Sequence, residues 1–416
     1  MTGENYAYLL KVDPVCNNNK FYEMILKNGM LTCRYGRYGQ DGVSVSYPSS
    51  RWDSIYRQKT GKGYQDITDM VAERTITSEG DLEYKPISNK EIDAFVNLLQ
   101  SYAQQVLKAN YKVSHKTVTH KMINTAQAYI QKLFEIQAEA KETKNTYLKA
   151  DYLNDFNEVL IKLYTSIPRT MRHVASHTAK KIDDMDKIIK SEQALLDVMR
   201  GQVDIDKVEN EKKSEITYKN DMTILEKIGI TIEPCDASDM KQIKSLLNIP
   251  DKKITAAYKV CNKKTEERYQ KYLNSHRDTT TPKLLWHGSG NENIWSILGT
   301  GLMLRPNAVI TGKMFGYGIY FAPSARKSMG YTSLDGSYWR RGNSNKGYMM
   351  LFETAYGNPY FVDSAYTDLD TKKFESRHPG HQVLHAKAGR SLRNDEIVFY
   401  REDQMTIRYV VEFEKK

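Results

Sequence analysis

Between Pro86 and Gly201 apolar residues return every third or fourth position, and this period constrains the fold more than any other feature of the chain. Ile92, Phe95, Leu98, Leu99, Tyr102, Val106 and Leu107 form one run. Met122, Ile123, Ala126, Tyr129, Ile130, Leu133 and Phe134 form a second, and further periodic stretches cover 152–164 and 183–199, the last ending before Gly201. A 3.6-residue period lines up one apolar stripe per helix, and other helices must cover each stripe. The stretch therefore predicts an all-helical domain of several amphipathic helices. Ser88-Asn89-Lys90-Glu91 has the pattern of a capping box at its start, and EKKSE (211–215) reads as a charged loop or linker.

The flanks have another texture. Residues 1 to about 85 are rich in Tyr, Gly, Ser and Thr, with short runs such as FYEMIL (21–26) and GVSVSY (42–47). The second alternates as a half-buried strand does, and Gly29, Gly36, Gly39 and Gly42 mark turns. A small, mostly β domain is expected. After about residue 216 a helix is expected at 238–248, stopped by Pro250. YKVCNK, KLLWHG, YGIYFA, YMMLFETAYG, EIVFY and IRYVVEFE then read as strands between glycine-rich turns, a mixed α/β or all-β domain. No solenoid-type repeat is present. The whole is read as an α+β multidomain chain.

A length of 416 residues accommodates two or three domains. The net charge of +10 and pI near 9.0 suit a polyanionic partner, and equally a lysine-rich solvated surface. Cys16, Cys33, Cys235 and Cys261 are scattered without a C-x-x-C pair, which argues against a disulfide framework or a zinc site. No apolar run approaches the ~20 residues of a membrane span, and the N-terminus lacks a signal-like pattern. An intracellular protein without a membrane partner or a metal is expected.

Three segments can carry chemistry: LLWHGSG (284–290), TGKMFGYGIYFAPSARKSMGY (311–331) and NDEIVFY (394–400). Each sets a polar side chain at an apolar strand beside small residues, where backbone can approach a ligand closely. Taken singly, His287 could be a satisfied core histidine, Tyr320 and Tyr331 ordinary sheet aromatics, and Glu396 a solvated strand residue. Taken together, W-H-G-S, G-x-M-F-G-x-G-I-Y-F-A, K-S-x-x-Y and E-I-V-F-Y resemble, in order and spacing, the signature blocks of the poly(ADP-ribose) polymerase family. The likeness extends more loosely to a WGR domain and a helical regulatory domain, as in the smaller DNA-dependent members. It implies a β-rich WGR domain at 1–86, an all-α regulatory domain at 87–212 and a mixed α/β ADP-ribosyltransferase domain at 213–416.

That resemblance implies NAD+ as the substrate and His287, Tyr320 and Glu396 as the catalytic set. Cleaving the nicotinamide–ribose bond builds oxocarbenium character, which a carboxylate can stabilise. By the resemblance, Gly288 and Ser328 hold the nicotinamide carboxamide, and Tyr331 and Tyr320 flank its ring. His287 and Ser289 take the adenosine side, and Glu396 bonds the nicotinamide ribose. Phe321, Ala322 and Lys327 complete the NAD+ site. Asp395 competes with Glu396 for the acidic role. Adjacent strand residues face opposite ways; the E-x-V-x-Y match and the spacing to Gln404 favour Glu396, while an alignment of Asn394-Asp395 on an Asn-Glu pair would make Asp395 the acid. Lys313, Tyr317 and Met303, the last with Arg305 nearby, depart from the family pattern and put NAD+ affinity in question. Position 394 is Asn, which disfavours the toxin-type transferases with their Glu-x-Glu pair.

NNNKFYEMIL (17–26), RYGRYGQDG (34–42) and KTGKGY (59–64) resemble a WGR domain with Tyr35-Gly36-Arg37 at the name-giving motif. From Lys20 to Lys62 eight Lys/Arg face three acids, although the first 87 residues are balanced overall. A plain β module with basic side chains would show the same counts. With the resemblance, Tyr35, Gly36 and Arg37 are expected to meet a DNA strand break. VSHKTVTHKMINTAQAYI (113–130) and LYTSIP (163–168) resemble regulatory helices that block the NAD+ site until DNA binds. The expected partners are DNA breaks, protein acceptors including the chain itself, and an accessory factor completing the site, all in a nucleus.

Overall fold

The computed structural model describes residues 5–38, 40–71, 84–111, 113, 115, 118–211, 222–250, 252–304, 314–337, 340–341, 344–389 and 392–415. They group into two compact units, one drawn from 1–81 and 105–203, the other from 82–104, 204–306 and 311–416.

The first unit begins with β1 (Asn5–Asp13), β2 (Asn18–Lys27), β3 (Met30–Arg37) and β4 (Val43–Pro48), followed by α1 (Trp52–Gly61), β5 (Gln65–Asp66) and α2 (Thr68–Val71). The strands form one antiparallel sheet in the order β4-β3-β2-β1-β5. Leu9, Tyr22, Met24, Leu31 and Cys33 pack with Ile55 of α1 on one face. Tyr8, Leu10, Phe21, Tyr38 and Ile67 cluster on the other. Asn28 (φ 53°) and Gly29 (φ 76°) form the β2–β3 turn, where two left-handed residues match the twist of a hairpin. Gly36 differs from expectation: it lies inside β3, and a Cβ there would stand 2.9 Å from Gly42 Cα. It serves close approach of two backbones rather than a turn. Gly39 lies outside the described residues.

The helical stretch forms α3 (Lys90–Asn110), α4 (His120–Glu142), α5 (Thr146–Ser166) and α6 (Ile182–Glu211). Thr119 caps α4 through the amide of Met122, and Asn145 caps α5 through those of Tyr147 and Leu148. Asn89, not Ser88, caps α3, accepting from the amides of Glu91 and Ile92. α6 runs through Gly201 instead of ending before it. Met199 and Val203 around it are buried, and packing outweighs the ~1 kcal/mol helix penalty of one glycine. A buried Arg169–Glu192 ion pair lies in the same unit, with the guanidinium 4.2 Å from the Tyr111 ring centroid. Residues 212–215 of the expected linker lie outside the described residues.

The second unit continues with α7 (Ile224–Ile228), β6 (Ile230–Pro234), α8 (Ala237–Ser245), β7 (Lys252–Asn262), α9 (Lys263–Ser275), β8 (Thr280–Gly288) and α10 (Asn291–Thr300). Then come β9 (Ile319–Phe321), α11 (Ala325–Met329), β10 (Gly336–Ser337), β11 (Arg340–Arg341), β12 (Lys346–Gly357) and β13 (Pro359–Val362). The unit ends with α12 (Thr371–Arg377), β14 (Val383–Ala386), β15 (Glu396–Phe399) and β16 (Met405–Lys415). One sheet runs β6-β7-β16-β12-β8 and another β13-β14-β15-β9. Reciprocal 3.0 Å backbone bonds between Trp286 and Ala322 join β8 to the end of β9. Leu285, Ile319, Phe321, Phe352, Ile397 and Phe399 share the apolar core beside that junction.

Candidate active site

Strand alternation brings the candidate residues together. On β9, Ile319 and Phe321 point into the core, so Tyr320 points away from it. Tyr320 pairs with Val398 on β15, and Glu396 lies two residues along the same face, a diagonal neighbour. His287 stands near the end of β8, and its Nδ1 is 3.0 Å from the carbonyl oxygen of Tyr320. A carbonyl only accepts, so Nδ1 carries the proton and Nε2 of the neutral ring stays an acceptor. Burial pushes the His287 imidazole below its usual range, which keeps it neutral at pH 7. Phe321 and Phe352 meet its ring edge-on at 5.7 and 6.2 Å and fix its plane.

The Tyr320 hydroxyl has its proton committed: it accepts from the Phe315 amide at 3.1 Å and donates to the Gly316 carbonyl at 2.9 Å. Burial raises its pKa far above the ordinary phenol value, with the Glu396 charge adding to the effect. It is therefore neutral, and its ring face is what it offers a ligand. Glu396 is 9% exposed, and its Oε1 lies 2.6 Å from Lys327 Nζ. Burial pushes the Lys327 ammonium down, and Glu396 partly restores it. Lys327 also donates to the Asn394 carbonyl. Asp395 faces the other way, with Oδ2 2.9 Å from His385 Nε2, Lys387 close by, and Oδ1 accepting from the Ala388 amide.

Around this set, Gly288 admits no side chain, because a Cβ would lie 1.9 Å from the Ser328 carbonyl oxygen. Ser328 is 3% exposed and donates to the Trp286 carbonyl at 3.1 Å. Tyr331 is 47% exposed, and its phenol is raised chiefly by burial and then by the Glu396 charge. Ser289 accepts from Asn293 Nδ2. Phe321 and Ala322 are buried, the first in the core and the second in the β8–β9 bridge, so their side chains frame the site from beneath. Tyr317 donates its amide to the Leu369 carbonyl, Met303 is exposed, and Lys313 and Arg305 lie outside the described residues. Phe315, Gly316 and Tyr400 were missed in the sequence as supports of Tyr320. The Tyr400 hydroxyl donates to the Phe315 carbonyl at 2.6 Å, and Gly316 has φ 71° with no room for a Cβ beside Leu369. The signal was present, since all three fall inside the quoted motifs.

In the N-terminal sheet, Tyr35 stacks on Tyr22 at 5.3 Å, and Lys59 Nζ stands 3.9 Å from the Tyr22 ring centroid. Arg37 reaches the carbonyl oxygens of Asn17, Met171 and Arg172 at 3.1–3.2 Å. Asn17 and Asn19 bond the same segment: Asn19 Nδ2 donates to the Arg169 carbonyl, and Asn17 Oδ1 accepts from the Val174 amide. Among the described residues, no three His, Cys, Asp or Glu side chains form a metal-holding group, and no helix is long and apolar enough to cross a membrane.

Residues 238–415 match the model of the poly(ADP-ribose) polymerase catalytic domain, and residues 6–71 that of the WGR domain. The chain is 32% identical over 163 residues to a poly(ADP-ribose) polymerase-like protein, 100L, of Invertebrate iridescent virus 6, covering 38% of this chain and 84% of that one. Protein 101L of the same virus is 29% identical over 233 residues, covering 56% of this chain and 91% of that one. The poly(ADP-ribose) polymerase of Sarcophaga peregrina is 23% identical over 453 residues, covering 97% of this chain but 42% of that one.

Proposed function

The chain belongs to the poly(ADP-ribose) polymerase family, whose catalytic domain is an NAD+ ADP-ribosyltransferase, and on that premise we propose that it is a DNA-break-activated enzyme that builds ADP-ribose onto itself and other proteins, releasing nicotinamide. The observation that carries the reading is that His287 bonds the Tyr320 carbonyl on β9 and Glu396 lies on the same face of the neighbouring strand β15, two residues from Tyr320's partner Val398. Glu396 bonds the nicotinamide-ribose 2′-hydroxyl and steadies the oxocarbenium-like carbon; in elongation it polarises the acceptor hydroxyl. His287 accepts a hydrogen bond from a hydroxyl of the adenine-side ribose at Nε2. Gly288 offers backbone N–H and C=O to the carboxamide, Ser328 its hydroxyl, and Tyr320 and Tyr331 their ring faces. Ser289 supports the adenosine end, and Lys327 sets the charge beside Glu396.

In the N-terminal sheet, Tyr35 meets the DNA strand end, with phosphates held by the Lys/Arg excess of residues 20–62. Arg37 ties β3 to residues 171–172, so a DNA contact at Tyr35 acts two residues from that tie. The three-part division 1–86, 87–212 and 213–416, a nuclear place of action and an accessory factor belong to this reading.

A second reading is a DNA-end scaffold with weak or single-unit transfer. It is favoured by the Lys327–Glu396 pair and by the Ser328 hydroxyl bonded to Trp286, since both occupy groups the substrate needs. One experiment separates them: labelled NAD+ is added to the whole chain with and without nicked DNA. DNA-dependent label with a length ladder is expected. No label under either condition would sink the transferase reading, label without DNA would sink the regulation, and a single band would leave the scaffold reading.

A further inference from the structure

A cavity of about 170 Å³ opens between α9, α12 and the segment after β15, lined by Tyr272, His276, Phe374, Tyr400, Arg401 and Gln404 with Glu375, His381 and Gln382 at its edge. None of these residues is part of the NAD+ site proposed above. Its walls are two stacked ring pairs: Tyr272 on His276 at 4.1 Å and Phe374 on Tyr400 at 4.5 Å. Such walls suit a flat ring. A cavity of this size admits one small ring system, since ~150 Å³ is enough for benzene. It is too small for a whole nucleotide.

The polar groups narrow the choice. Gln404 is 1% exposed, and its amide orientation is fixed because Nε2 donates to both the Tyr272 hydroxyl and the Gln382 carbonyl. Its Oε1 is buried and has no partner. An unsatisfied buried acceptor calls for a donor. The Tyr272 oxygen accepts from Gln404, so its own proton is free to be given. At the mouth, Arg401 is held by Asp403 through Nε and Nη2 at 3.0 and 2.8 Å and by Glu375 through Nη1 at 3.2 Å, which leaves two of its five N–H donors for a ligand, and its guanidinium lies 5.7 Å from the Tyr272 ring centroid. His381 Nδ1 is a second buried atom without a partner. The requirement is a flat ring bearing an N–H donor for Gln404, with ring nitrogens that accept from Tyr272 and Arg401.

We propose that this cavity is a second small-molecule site, separate from the NAD+ site, that takes a free amino-substituted heteroaromatic base of adenine size. The exocyclic amine donates to Gln404 Oε1, and the ring lies between the Tyr272 and Phe374 walls.

The test is calorimetric titration of adenine into the whole chain and into two variants, with thermal melting as a check on folding. Gln404→Met removes the acceptor at similar volume, and His381→Trp narrows the mouth at a half-exposed position. Wild type is expected to bind adenine, and each variant to bind it at least about 5- to 10-fold more weakly, Gln404→Met through the loss of one satisfied hydrogen bond and His381→Trp through the occupied mouth. If Gln404→Met fails to fold, His381→Trp decides alone. No binding by wild type at millimolar adenine overturns the proposal. Binding that both folded variants leave unchanged also overturns it, because the adenine is then elsewhere, including in the NAD+ site. The titration reads binding only, so it stands or falls independently of the transferase reading.

Discussion

Lys327 on α11 and Arg37 in the N-terminal sheet are both cations singled out by sequence pattern, and both are already bonded, but to different partners. Lys327 meets a nearly buried carboxylate, Glu396, at 2.6 Å. Among the described residues, Arg37 meets only carbonyl oxygens, of Asn17, Met171 and Arg172. A carboxylate partner makes an arrangement depend on protonation and on net charge in the site. Carbonyl partners make it depend on where the backbone runs. The catalytic region should therefore respond to charge and pH, and the N-terminal region to geometry.

The sharpest way to break this contrast is to remove charge at Glu396 and at its neighbour. Glu396→Gln keeps shape and loses charge, and transfer from labelled NAD+ should fall about 10²- to 10⁴-fold. Asp395→Asn acts on the opposite face, beside His385, and should cost less than about 10-fold. If the Asp395 variant lost as much as the Glu396 variant, the assignment of the acid would be reversed.

The pH dependence is the next largest effect. Burial holds the Lys327 ammonium below its ordinary value near 10.5. Its charge is present below that lowered pKa and is lost as pH rises through it, so the ion pair with Glu396 opens on the alkaline side. Transfer rates should begin to change below pH 10.5, by about 10-fold per unit at the limit, and Lys327→Met should lack that limb. Protonation of His287, lowered by burial, would turn Nε2 from acceptor to donor only below pH 6.5. Hydrogen exchange of residues 169–174 should show no comparable step between pH 6 and 10, after correction for intrinsic exchange, because a guanidinium stays charged throughout. A matching step there would erase the distinction.

Close backbone approach gives a third comparison, with glycine in both regions. An Ala Cβ at 288 would sit 1.9 Å from a carbonyl oxygen, and at 36 it would sit 2.9 Å from Gly42 Cα. Gly288→Ala should cost about 3 kcal/mol and Gly36→Ala about 1 kcal/mol, read from the urea transition of each variant. Equal costs would mean that the β8–Ser328 contact relaxes more easily than the structure suggests.

These contrasts also show what was legible in the sequence. The helical period gave α3–α6, and motif order gave the family and the residues that lie along the β8–β9–β15 junction. Strand alternation said that only one of Asp395 and Glu396 can face the pocket, and the motif and its spacing to Gln404 favoured Glu396; the structure sets the two on opposite faces, Glu396 on Lys327 and Asp395 on His385. The end of α6 was misread at Gly201 because burial on both sides outweighs a local propensity. The cap moved from Ser88 to Asn89 because a capping pattern does not fix which of two neighbouring polar residues turns inward. The Arg37 contacts were not legible at all: residues 37 and 171 are 134 positions apart, and no local pattern announces a carbonyl as a partner. Nor was the cavity beside Gln404, which exists only where α9, α12 and the segment after β15 come together.

The smallest expected effect tests the geometric half of the contrast. Arg37→Met removes the bonds to Asn17, Met171 and Arg172 but keeps an apolar stem of similar length. Each bond to a charged donor can be worth more than a neutral one, but the group is only half-buried, so solvent replaces much of what is lost. A net cost of about 1 kcal/mol follows. It should appear as roughly 5-fold faster amide exchange in residues 169–174, with the β1–β4 amides unchanged. Arg37→Lys keeps the charge but cannot span three carbonyls, so it should restore only part of the protection. Full restoration by lysine would show that charge, not the planar fork, holds the contact, and Arg37 would then resemble Lys327 after all.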